Sequence, residues 1–127
     1  MKAIVYDNSV LAAWVLGETD ARVEKAIGLL SSHDGHVPLL WAWEFANVLV
    51  ISQRKGRITA AQAVQASALV QGLKLRVEDT APSHVFGQVA ALALAHGLTA
   101  YDAAYLDLAM RLGAGLATLD AALIRAA

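Results

Sequence analysis

Cysteine is absent from this 127-residue chain, which excludes a disulfide frame and a thiolate zinc site and fits a reducing, cytoplasmic setting. A strong charge of either sign is also lacking. The formal net charge is −1, so the surface as a whole is no trap for polyanions, and a nucleic acid has to be held by a local basic patch or through metal ions. Pro82 to Tyr101 contains no Asp, Glu, Lys or Arg, yet His84, Gln88, His96 and interspersed glycine and proline break it up. That stretch therefore reads as a buried helix and not as a membrane span. An unbroken signal-peptide core is missing as well: in MKAIVYDNSVLAAWVLG, Lys2 precedes an apolar stretch, but Asp7 interrupts it. No linker, repeat or low-complexity tract is visible.

What the chain does have is apolar bulk. Hydrophobic residues make up 57% of it, against roughly 45–50% in ordinary globular domains, which leaves apolar surface for a protein partner once one core is filled. The length suits a single domain, residues 1–127.

Periodicity places the elements. Ala3 to Tyr6 reads as a buried strand and SVLAAWVLG as the helix after it, with Gly17 at the C-cap. Thr19 is the expected cap of a second helix through Leu30, SSHDGH a polar turn, and HVPLL a short second strand. A helix follows from Ala42 to about Arg54, then a second one in ITAAQAVQASALVQGL, a half-buried strand in LKLRVED and a helix in SHVFGQVAALALAHG. LTAYDAAYLDLAMRLG is a helix closed by Gly113, and GLATLDAALIRAA repeats the opening grammar of strand (Leu116 to Leu119), aspartate and short helix. Alternating strands and helices predict an α/β fold with a mainly parallel sheet flanked by helices on both faces.

Four acids stand out. Asp7 and Asp120 each follow an apolar strand and precede a helix, which puts both at the carboxyl edge of one parallel sheet, where open α/β sheets bind ligands. Taken singly, each also suits a helix cap. Glu44 lies early in a helix within apolar WAWEFANVLV, with Asn47 about 300° further round and so on the same face. Asp102 is also early in its helix, where Thr99 is the expected cap. Asp107 points elsewhere, about 140° round from Asp102, and at i+4 from Arg111 it reads as half of a surface ion pair. His33 and His36 in the polar turn, and His84 near a cap, read as structural.

D-x-S-V-L after the first strand, E-x-x-N, L-T-x-Y-D-A-x-Y-L, and T-x-D before the last helix together resemble the PIN domain, specifically the VapC-type toxin ribonucleases. The resemblance spans nearly the whole chain, and the set of motifs carries it. It implies a three-layer PIN-like fold in which Asp7, Glu44, Asp102 and Asp120 are catalytic and hold one or two Mg²⁺ or Mn²⁺ ions, with Ser9, Asn47 and Thr118 orienting ligands or waters. It also implies an RNA substrate, a homodimer, and a small antitoxin that lays a segment in a groove and sends a basic side chain toward the acids. Asn8 departs from the small residue, commonly alanine, expected there.

The residues suit that chemistry. Four converging carboxylates repel one another until a hard divalent cation relieves them, and a metal-acidified water attacking phosphorus needs no covalent intermediate. Arg54, Lys55 and Arg57 are candidate contacts to RNA phosphates, set against a plain basic helix end. Trp14, Trp41 and Trp43 are candidates for stacking on bases, set against core packing. Two rivals remain. A haloacid-dehalogenase-like phosphatase with Asp7 as nucleophile wants an acid two positions on, where Ser9 stands; a receiver-like or RNA-binding module would bind without cleavage.

Overall fold

The computed structural model describes residues 1–127. Four strands, β1 (Lys2–Tyr6), β2 (His33–Pro38), β3 (Arg76–Glu78) and β4 (Gly115–Ala117), form one parallel sheet in the order β3-β2-β1-β4. Seven helices flank it: α1 (Asn8–Val15), α2 (Ala21–Gly28), α3 (Leu40–Arg54), α4 (Ala60–Gly72), α5 (Pro82–His96), α6 (Ala100–Leu112) and α7 (Ala121–Ala126). The result is the three-layer α/β arrangement expected from the alternation of elements.

β1 is central, and so its residues are apolar on both faces: Val5 and Tyr6 are fully buried and Ile4 nearly so. Tyr6 takes its hydroxyl into the interior, where it donates to the Ala26 carbonyl, and burial pushes its pKa up to about 12. The chain moves from β1 to β2 to β3 in one direction, then returns across the sheet to place β4 on the other side of β1. Because parallel crossovers are right-handed, that reversal moves the connecting helices to the opposite face. Accordingly α1, α3 and α4 pack on one another, while α6 packs on β1 and β2. The reversal also opens a crevice between the carboxyl ends of β1 and β4.

Several local expectations give way to tertiary context. β2 begins at His33, so His33, Asp34 and Gly35 are not a polar turn but pair with Lys2, Ala3 and Ile4. The backbone ladder to β1 holds these polar residues in the sheet, and Gly35 is there for space: a Cβ would lie 2.6 Å from Leu75 Cδ2 and 2.7 Å from Leu30 Cδ2. β3, at the sheet edge, is shorter than the alternation in LKLRVED suggests, and β4 ends at Ala117, not Leu119. Asp20, not Thr19, caps α2, accepting the Arg22 and Val23 N–H groups at 2.9 and 3.1 Å.

α5 is not the buried helix that its lack of charge suggested. Only Val89 and Ala93 are buried, whereas Phe86 and Leu94 are 79% and 87% exposed, and Val85–Val89 winds as a π-helical turn. Asp107 errs in the opposite direction. It is buried, and its carboxylate meets His84 Nε2 at 2.9 and 3.0 Å as well as Arg111 Nε at 2.9 Å. No single helix is long and apolar enough to cross a membrane.

Candidate active site at the carboxyl edge of the sheet

Asp7 occupies the N-cap position of α1, yet its side chain caps no backbone N–H. It is 5% exposed and anchored by hydroxyls instead: Ser9 Oγ and Thr118 Oγ1 both donate to Asp7 Oδ2, at 2.7 and 2.8 Å. The direction of those bonds is fixed by the backbone. Ser9 Oγ accepts the Leu119 N–H at 3.0 Å and Thr118 Oγ1 accepts the Asp120 N–H at 2.9 Å, so each hydroxyl proton is left for Asp7. Together with the Asp7 N–H bonded to the Ala117 carbonyl at 2.9 Å, this stitches β1 to β4 across the crevice. Both hydroxyls of the network donate to Oδ2, which leaves Oδ1 free of protein donors.

The other acids arrive on separate elements. Glu44 comes from the first turns of α3, and its Oε1 accepts the hydroxyl of Tyr105, a fully buried residue of α6. Asp102 sits in the first turn of α6, where its N–H is capped by Thr99 Oγ1 at 3.1 Å, so the cap belongs to Thr99 and the Asp102 carboxylate is released from that duty. Asp120 does serve as a cap, with Oδ1 accepting the Ala122 N–H at 2.8 Å. Its place after β4 still brings it to the others.

Electrostatics shows the convergence. Burial raises the Glu44 pKa, the charges of Asp7 and Asp102 raise it further, and the Tyr105 hydrogen bond opposes them. Burial raises Asp102 as well, and the charges of Asp120 and Asp7 add to it. The Tyr105 phenol is pushed far up by burial and by Glu44, so it stays a hydrogen-bond donor. None of the ion pairs in the molecule includes Asp7, Glu44, Asp102 or Asp120.

Four carboxylates without a cationic partner fit a hard divalent ion, which prefers oxygen ligands. Asn8 Oδ1, on the residue after Asp7, is a further buried oxygen with no hydrogen-bond partner. No three His, Asp or Glu side chains are gathered closely enough to grip one ion together. The donor set therefore suits Mg²⁺-like binding, with one or two carboxylates held directly and the rest through water.

The remaining candidates divide. Ser9 and Thr118 are in the network, whereas Asn47 is exposed on α3 one turn beyond Glu44 and makes no side-chain hydrogen bond. Arg57 lines a cavity of about 400 Å³ with Ser9, Leu119 and Glu18, and none of the four acids lines it. Arg54 and Lys55 lie exposed at the end of α3 and do not line it. Tyr105 is the residue that sequence reasoning passed over as a site member; the available signal was a hydroxylated aromatic one turn after Asp102 on an otherwise apolar face.

Comparison with known proteins bears on the family and the fold. The model of the PIN domain family matches residues 4–127. Ribonuclease VapC3 of Pyrobaculum aerophilum is 34% identical over 125 residues, covering 94% of this chain and 90% of that protein. The crystal structure of PAE2754, from the same organism, superposes with a TM-score of 0.75 at 27% identity, over 98% of this chain and 79% of that one. VapC20 of Mycobacterium tuberculosis, described as a toxin that cleaves the sarcin-ricin loop, superposes with a TM-score of 0.68 at 22% identity, over 97% and 94% of the two chains. At that identity it speaks to the fold alone.

Proposed function

The chain belongs to the PIN-domain family, in its VapC-type group, and from that premise we propose that it is a metal-dependent endoribonuclease, the toxin of a cytoplasmic toxin-antitoxin pair. The observation that supports this reading most is the electrostatic coupling of four carboxylates carried by four elements, none of them paired with a cation, at the crevice where the sheet reverses. Asp7, Glu44, Asp102 and Asp120 would hold Mg²⁺ or Mn²⁺, which when bound supplies an acidified water and charge to stabilise the leaving oxygen.

The chain's own groups do the positioning. Ser9 and Thr118 hold Asp7 Oδ2 and leave Oδ1 available. Tyr105 fixes the Glu44 carboxylate and favours its ionised form. Arg57, on the cavity that Ser9 also lines, would meet an RNA phosphate, and Asn47 would orient a ligating water. Arg54 and Lys55 would meet the backbone further out.

Partners follow from the apolar surface. α3 and α4 bound a groove of about 810 Å³ lined by Trp41, Phe45, Leu49, Ala63 and Val64 among others, which suits an amphipathic segment of a small antitoxin. Trp41 Nε1 is buried there without an acceptor. Phe86 and Leu94, exposed on α5, support a homodimer.

Cut ends test the mechanism. Water attacking in line leaves a 3′-hydroxyl and a 5′-phosphate, so the fragments' 5′-phosphate ends should ligate to the 3′-hydroxyl of an acceptor RNA without prior treatment by a kinase. EDTA should stop cleavage, and Asp102→Asn should abolish it with the fold retained. Cyclic-phosphate ends from an EDTA-resistant preparation would reject this reading.

A further inference from the structure

The two acids carried on long helices each follow an aromatic residue, Trp43 before Glu44 on α3 and Tyr101 before Asp102 on α6. Both aromatics are exposed, Trp43 by 78% and Tyr101 by 65%, and both line the same cleft of about 360 Å³. Such a volume lies at the small end of ligand-sized clefts, which span about 300–1,000 Å³. The other tryptophans differ: Trp41 is in the core against Phe45, with ring centroids 5.5 Å apart, and Trp14 is half-buried. Trp43 is the one presented to solvent.

Acids line the cleft too. They are Glu78, Asp79 and Asp107, with Thr80. Glu78 Oε1 is taken by His36 Nδ1 at 2.9 Å, and both Asp107 oxygens are taken by His84 and Arg111. Asp79 is exposed, and only its Oδ1 is used, by the Thr80 N–H at 2.8 Å. Asp79, the one acid of the three without a basic partner, repels a phosphate or an acidic peptide. Its free oxygen accepts from a flat, neutral group that bears N–H donors, while the two aromatics offer that group faces to stack on.

We propose that this cleft holds one unpaired nucleobase of the RNA next to the scissile phosphate, stacked against Trp43 and Tyr101, and that Asp79 selects guanine. This rests on the ribonuclease reading above. Guanine presents N1–H and N2–H side by side, which a carboxylate accepts as a pair, whereas the other bases offer a narrower set of donors on that edge. The same edge is occupied in a duplex, so the base must be unpaired.

The test measures binding apart from cleavage. A dye-labelled unstructured RNA hexamer with one guanine among uridines, and an all-uridine control, are titrated into the Asp102→Asn protein with fluorescence anisotropy as readout. The guanine hexamer should bind more tightly. Trp43→Ala and Tyr101→Ala should each weaken its binding about tenfold or more, and Trp43→Phe should restore much of it. Asp79→Asn should erase the preference for guanine over the all-uridine control, with circular dichroism reporting the fold. Unchanged affinity in both aromatic variants, or an intact preference in Asp79→Asn, overturns the proposal. So does a Trp43→Ala protein that sediments as a monomer where the parent is a dimer and keeps its RNA affinity, because the aromatics then belong to an interface between copies. A wild-type protein that selects guanine in this assay but never cuts RNA with Mn²⁺ would remove the ribonuclease reading and leave the cleft standing.

Discussion

A glutamate half-buried among apolar residues is held ionised or neutral by its neighbours, and at Glu44 the neighbours pull in opposite directions. Burial and the charges of Asp7 and Asp102 favour the protonated acid, while the Tyr105 hydroxyl favours the carboxylate. Removing that hydroxyl with Tyr105→Phe should therefore raise the Glu44 pKa still further. As the ionised form is the one needed to hold a cation, the acid limb of the pH profile of kcat/KM should move to higher pH in this variant, with the alkaline limb unmoved. A profile superimposable on wild type would show that Glu44 is not among the groups whose ionisation limits the reaction.

At the scale of elements, α6 organises the molecule because its faces serve different neighbours. Asp102 and Tyr105 meet the other acids, Leu108 and Ala109 pack in the core, and Asp107 reaches α5 through His84. That clasp is the main polar tie between α6 and a helix that buries little else. Asp107→Asn should accordingly lower stability by about 1.5–3 kcal/mol, the range for hydrogen bonds to charged groups. Urea unfolding checks it, and a change within about 0.5 kcal/mol would return the pair to the status of a surface contact. The sequence alone pointed to that weaker status, since i+4 spacing to Arg111 is the same whether a helix face is wet or covered. Only the crossing of α5 over α6 decides it.

The molecule as a whole gathers like charge at one edge while its net charge stays at −1, so the repulsion is local and a local cation relieves it. Glu44 and Asp102 have folded-state pKa values above their ordinary ones. The folded protein thus binds protons more readily than the unfolded chain between the ordinary and the raised values, and stability falls as pH rises through that window. The penalty is absent below the ordinary carboxylate range and fully present above the raised values. Without metal, the melting temperature should rise on moderate acidification from pH 7. Saturating Mn²⁺ or Mg²⁺ at pH 7 should raise it by mass action, the stabilisation being about 2.7 kcal/mol at a hundredfold excess over Kd. A melting temperature indifferent to both would count against a shared cluster.

The family, the order of strands and helices, and the candidate acids were legible in the sequence because they depend on local pattern: an apolar run, an aspartate, then helical periodicity, repeated at both ends of the chain. Strand limits were less so, since His33 to Gly35 are held in β2 by pairing with β1 and carry no strand signal of their own. Nor could pattern separate cap from ligand. Asp7 and Asp120 have the same local grammar, yet the first is held by hydroxyls from Ser9 and Thr118 and the second caps α7. Burial of Asp107, exposure of Phe86 and Leu94, and the choice of Trp43 over Trp41 as the presented indole were likewise decided only when helices packed. Local chemistry determines which elements form and where charge must lie along them. Which face is covered, and which oxygen is left free, depends on residues more than a hundred positions apart, such as Thr118 and Asp7, and only the tertiary structure brings those together.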